Sequence, residues 1–108
     1  MKKTKIHAEG VDIYSGQMHY DKDGKFYLTK GAPLYMDSTM IETPSYVSKS
    51  SVTKLVNDSV IKASNAFFLA AQSYDGALGK ANVTKDNTLS LWGSKIETDN
   101  LSFKAGGI

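Results

Sequence analysis

The 108-residue chain carries a formal net charge of +2, contains no cysteine, and draws all 13 of its basic residues from lysine. Without cysteine there are no disulfides, thiolate metal centres or thiol nucleophiles; without arginine the chain lacks the side chain that reads guanine, phosphate and carboxylate bidentately. A single domain over residues 1–108 is expected at this length. The longest apolar run, residues 66–71, falls well short of the ~20 residues a membrane-crossing helix needs.

Lys2, Lys3 and Lys5 open the chain as a solvated basic start, with no apolar stretch behind them to form a secretory leader. A cytoplasmic protein is the expectation. The first structured element is a β-hairpin around Asp21-Lys22-Asp23-Gly24. A three-residue loop, Lys22-Asp23-Gly24, opposes Tyr20 to Phe26 and Met18 to Leu28, gathering four apolar side chains on one face. It sets His19 beside Tyr27 on the other, and Gly24 supplies the left-handed position such loops require. Residues 31–49, interrupted by Pro33 and Pro44, read as an edge strand or a covering loop.

Residues 52–74 are expected to form a long α-helix. Val52, Val56, Val60, Ala63, Phe67, Ala70 and Tyr74 recur at steps of three and four. A second stripe on that helix, Ile61 and Phe68, would face either residues 31–49 or a partner, and is the expected oligomer interface. After the helix, turns at Lys85-Asp86-Asn87, Gly93-Ser94 and Asp99-Asn100 place Val83, Leu89, Leu91, Ile96, Leu101 and Phe103 on one face of a four-stranded antiparallel meander. The expected fold is therefore α+β: an N-terminal β-hairpin and one long helix packed on an antiparallel sheet with a C-terminal meander. An internal echo of Asp86-Asn87-Thr88-Leu89-Ser90-Leu91 in Asp99-Asn100-Leu101-Ser102-Phe103 reads as shared hairpin chemistry, two copies being too few for a solenoid.

Catalytic signatures are sparse. His7 and His19 have no metal-ligand spacing, so no metal or other cofactor is expected. Asp21–Gly24 lacks the terminal glutamate of a calcium loop. The glycines from Gly76 to Lys80 are too close together for a phosphate-binding loop, and no hydrolase motif is present. The expected function is a non-catalytic protein-binding module that self-associates, a small accessory or inhibitor protein of bacterial or viral type. Its partner contacts are placed on Trp92, Lys95, Tyr27 and His19, because an exposed Trp on a polar sheet face makes an interface anchor. The alternative is nucleotide or single-stranded nucleic-acid binding on that Trp/Tyr/Lys face; an enzyme using His19 as general base comes third.

Overall fold

The computed structural model describes residues 1–20, 22, 26–75 and 80–106, and among them there is no helix. Its strands are β1 (Lys5–His7), β2 (Val11–Tyr14), β3 (Gly16–Tyr20), β4 (Phe26–Gly31), β5 (Pro33–Asp37), β6 (Met40–Ser50), β7 (Val52–Val56), β8 (Val60–Ala70), β9 (Ser73–Asp75), β10 (Lys80–Asn82), β11 (Leu89–Trp92) and β12 (Lys95–Lys104). The expected helix is absent: residues 52–74 run as β7, a corner, β8 and the start of β9.

Two sheets are parallel. One has the order β1-β6-β8-β12, with β2 also on β6; the other has the order β11-β7-β5. The third, β10-β9-β4-β3, is antiparallel. Because β5 leads into β6, β7 into β8 and β11 into β12, the chain climbs through both parallel sheets in successive coils. This is a short β-solenoid. In-register columns run across the coils. Ile6 pairs with Ile41, Ile41 with Ile61 and Ile61 with Ile96, while Val11, Tyr46, Ala66 and Leu101 form a second column.

The burial pattern shows why the helical reading fails. β7 alternates strictly, with Thr53 and Leu55 inward. At Asn57-Asp58 the chain turns a corner on left-handed backbone, φ 55° and 62°, which resets the phase before Ile61 and Ala63 point inward. At Ser64-Asn65 two successive residues face out, the phase shifts again, and Ala66 and Phe68 enter the core. Strand alternation interrupted by two phase shifts produces apparent steps of three and four. Ile61 and Phe68, expected on an exposed stripe, are fully buried core residues, and Phe68 packs its ring 4.9 Å from that of Tyr46.

The C-terminal meander is also replaced. β11 pairs with β7, and β12 with β8, in both cases parallel. Gly93, at φ 62°, is a solenoid corner, and Asp99-Asn100 lies within β12 at the position of the outward bend. Asn87 is a buried clamp whose Nδ2 donates to the Ser51 carbonyl at 2.9 Å while its Oδ1 accepts from the Thr84 N–H at 2.8 Å.

The N-terminal hairpin pairs Met18 with Leu28, His19 with Tyr27 and Tyr20 with Phe26, the register given by side-chain parity. Of its loop, Asp21, Asp23 and Gly24 lie outside the described residues, as do 76–79 of the glycine-containing segment. This hairpin leaves the solenoid between the first and second coils. A second hairpin, β9–β10, leaves it between the third and fourth, and β4 pairs with β9 to join them in one side sheet.

The corners are chemically repeated. Lys3, Ser38, Asp58 and Gly93 occupy one corner position in successive coils, with φ of 50°, 52°, 62° and 62°. Behind them stands a column of hydroxyl residues: Thr4, Thr39, Ser59 and Ser94. Ser59 is fully buried; its Oγ donates to the Val56 carbonyl at 2.8 Å and accepts the Thr39 N–H at 3.1 Å. Its own N–H donates to Ser94 Oγ at 3.0 Å. Each hydroxyl thus satisfies backbone groups that the corner removes from the sheets.

Candidate functional site

The solenoid's two halves are equivalent. Residues 55 positions apart coincide as Ile6/Ile61, Ala8/Ala63, Gln17/Gln72, Thr29/Thr84, Lys30/Lys85, Leu34/Leu89, Ile41/Ile96, Glu42/Glu97, Thr43/Thr98 and Lys49/Lys104. Each half contributes two coils with a hairpin between them. The last strand of the first half, β6, lies against the first long strand of the second, β8, across residues 40–50 and 60–70. β12 is the counterpart of β6, and among the described strands it is paired on one side only.

This asymmetry exposes an apolar end. Met36, Tyr46 and Ser48 point into the core at 0%, 1% and 0% exposure; their equivalents Leu91, Leu101 and Phe103 point the same way at 44%, 46% and 47%. Parity along β11 and β12 fixes their direction, so they are core-type positions that no described strand covers. Solenoids whose ends meet water carry polar caps there. The β11–β12 coil carries apolar residues at these exposed positions instead.

The sequence-derived partner residues divide between two places. Trp92, 64% exposed, lies on the outer face of β11 at the open end, with Lys54 Nζ 6.0 Å from its ring centroid. Lys95 begins β12 and is bonded to Glu97 at 2.8 Å. That bond and the attraction behind it raise the Lys95 pKa and lower that of Glu97. His19 and Tyr27 pair through their backbones in the side sheet. They do not form one site with Trp92. The residues that sequence reasoning missed as a surface are Leu91, Leu101 and Phe103; it assigned them to the inside of a closed sheet.

Along the solenoid, a surface groove of about 440 Å³ is lined by His7, Glu42, Lys62, Glu97 and Asp99 among others. His7, Glu42, Lys62 and Glu97 form one outward column. Among the described residues no cluster of three His, Asp or Glu could hold a metal ion. Lys49 is a mostly buried cation, its Nζ 4.1 Å from the Tyr74 ring centroid and 5.2 Å from that of Tyr14. Burial lowers its pKa, with Asp12 pulling the other way. Tyr74 belongs to β9, so this stack ties the side sheet to the solenoid. No described helix is long and apolar enough to cross a membrane. Comparison with protein-family profiles, curated proteins and solved structures found no match.

Proposed function

We propose that the chain is a non-catalytic protein-interaction module that takes up its partner by extending its own sheets from the open β11–β12 end. The observation that carries this reading is the exposure of Leu91, Leu101 and Phe103 at positions whose equivalents in the first half are buried. An unpaired strand edge offers backbone donors and acceptors, and the apolar column beside it rewards a strand that covers it. An accessory or inhibitor role fits a surface of this kind. The groove offers Glu42, Glu97 and Asp99 against Lys62, which gives a nucleotide phosphate less support than a peptide strand.

Trp92 is the single tryptophan and lies on β11 at the open end. The 55-residue equivalence of the Asp37–Val56 pair sets Met1 of an added strand opposite it, so its emission reports a strand that begins at residue 1. A synthetic peptide of residues 1–14, itself free of tryptophan, is expected to shift that emission saturably, and Leu101→Asp with Phe103→Asp to abolish the shift. An emission spectrum unmoved by the peptide would overturn the reading.

A further inference from the structure

We infer that the partner at the open end is a second copy of this chain, stacked head to tail so that its β1 and β2 lie parallel on β12. This rests on the reading of that end as a strand-adding surface and names what is added. The template lies inside the molecule. β6 of the first half meets β8 of the second with Met40 opposite Val60, Ile41 opposite Ile61 and Ser48 opposite Phe68. By the 55-residue equivalence, β12 stands where β6 stands, and residues 5–15 stand where β8 stands. The same contact between copies places Ile96 on Ile6, Leu101 on Val11 and Phe103 on Ile13. The isoleucine column then continues unbroken from one molecule to the next.

The backbone points the same way. The Met40 N–H donates to the Thr4 carbonyl at 2.8 Å, Val60 to Thr39 at 2.9 Å, and Lys95 to Ser59 at 3.0 Å. Each bond joins the first residue of a long strand to the hydroxyl corner of the coil before it. The next carbonyl in the series is that of Ser94, and the equivalent donor is the Lys5 N–H of another copy. On the outer face Glu42, Lys62 and Glu97 alternate in sign, and His7 of the second copy follows Glu97. Two exposed like-charge pairs, Lys95 with Lys5 and Asp99 with Glu9, oppose the contact weakly. A head-to-tail contact of this kind does not close on itself, so it gives a series of oligomers instead of one dimer.

The cysteine-free background permits a direct test. Positions 7 and 97 become cross-strand neighbours only between copies. Within one molecule they are three strand spacings apart, about 14 Å at ~4.8 Å each, beyond the reach of a disulfide. Under mild oxidation the double variant His7→Cys, Glu97→Cys is expected to give a ladder of multimers on a non-reducing gel, and each single variant none. Adding Leu101→Asp and Phe103→Asp is expected to remove the ladder while circular dichroism and the unfolding midpoint hold. A single dimer from Glu97→Cys alone would mean two open ends meeting and would overturn the head-to-tail contact. A ladder that survives the aspartates would overturn it as well, as would a chain that stays monomeric in sedimentation and never cross-links. If the 1–14 peptide still shifts Trp92 in that last case, the strand-adding reading stands and only the identity of the partner fails.

Discussion

β6 and β12 are the same strand twice, 55 residues apart, with Ile41-Glu42-Thr43 repeated as Ile96-Glu97-Thr98. β6 has a coil on each side, and its inward side chains are sealed. β12 has a coil on one side, and its inward side chains meet solvent. The difference comes from position in the stack, since the two strands hold equivalent parallel registers against β8 and share the Ile-Glu-Thr at their start. Interior character at an exposed face is the observation on which the proposed strand addition rests.

The sharpest way to test that comparison is to truncate the same kind of side chain at both places. Phe68→Ala, deep in the third coil, is expected to cost about 3–5 kcal/mol of unfolding free energy in urea. Phe103→Ala, measured at a dilution where the chain is monomeric, is expected to cost less than about 1 kcal/mol, since little burial is lost. Equal costs would mean that β12 is already sealed.

Tyr46 gives a pH-dependent version. Burial pushes its phenol from 10.0 up to about 12, so the folded state holds the proton longer than the unfolded one. Its contribution is fully present below pH 10 and is lost as pH rises towards 12, at about 1.4 kcal/mol per pH unit. Tyr46→Phe is expected to flatten that part of the curve. It also removes a hydroxyl that is buried without a hydrogen-bond partner. The equivalent Leu101 has nothing to titrate, so Leu101→Phe is expected to leave the alkaline limb unchanged.

At the hydroxyl corner, Ser59→Ala strips partners from Thr39 N–H and the Val56 carbonyl and is expected to cost about 1–2 kcal/mol. Ser94→Ala, at the open end, strips partners from the Ser59 N–H and the Trp92 carbonyl and is expected to cost less, because water reaches those groups. The smallest effects concern the left-handed corner. Gly93→Ala is expected to lose about 1 kcal/mol through its positive φ, with nothing else near the added carbon. Ser38→Gly, at the same position one half earlier, is expected to gain about 0.5 kcal/mol. Thermal melts on the matched pair would show whether the corners are as interchangeable as their backbone angles.

How much of this was legible follows the reach of each interaction. The Met18–Leu28 hairpin register could be read because loop and strands are contiguous. The solenoid could not be read from the 3–4 spacing of Val52, Val56, Val60 and Ala63, because the corner at Asn57-Asp58 and the bend at Ser64-Asn65 shift the strand phase. β-branched Val52, Thr53, Val56, Val60 and Ile61 were the counter-signal, together with an Asn-Asp pair inside the supposed helix. Turn chemistry at Asp99-Asn100 was real but marked a bend in one strand, recurring at Pro44-Ser45 and Ser64-Asn65. The echo between residues 86–91 and 99–103 does not follow the 55-residue period of the two halves. Comparison at 55 residues shows Ile6/Ile61, Leu34/Leu89 and Ile41/Ile96 together. The open end was hidden for another reason: apolar residues at regular strand positions look alike whether or not a further coil lies on them.

Amide hydrogen exchange at Ile96 measures most directly whether the outer edge of β12 is covered. Lys95 directs its N–H inward to Ser59, so strand alternation turns the Ile96 N–H outward. The account predicts that this amide is protected at high protein concentration and becomes fast-exchanging on dilution or in the Leu101→Asp, Phe103→Asp variant. Fast exchange under all of these conditions, with the neighbouring Ile61 amide still protected, would contradict it.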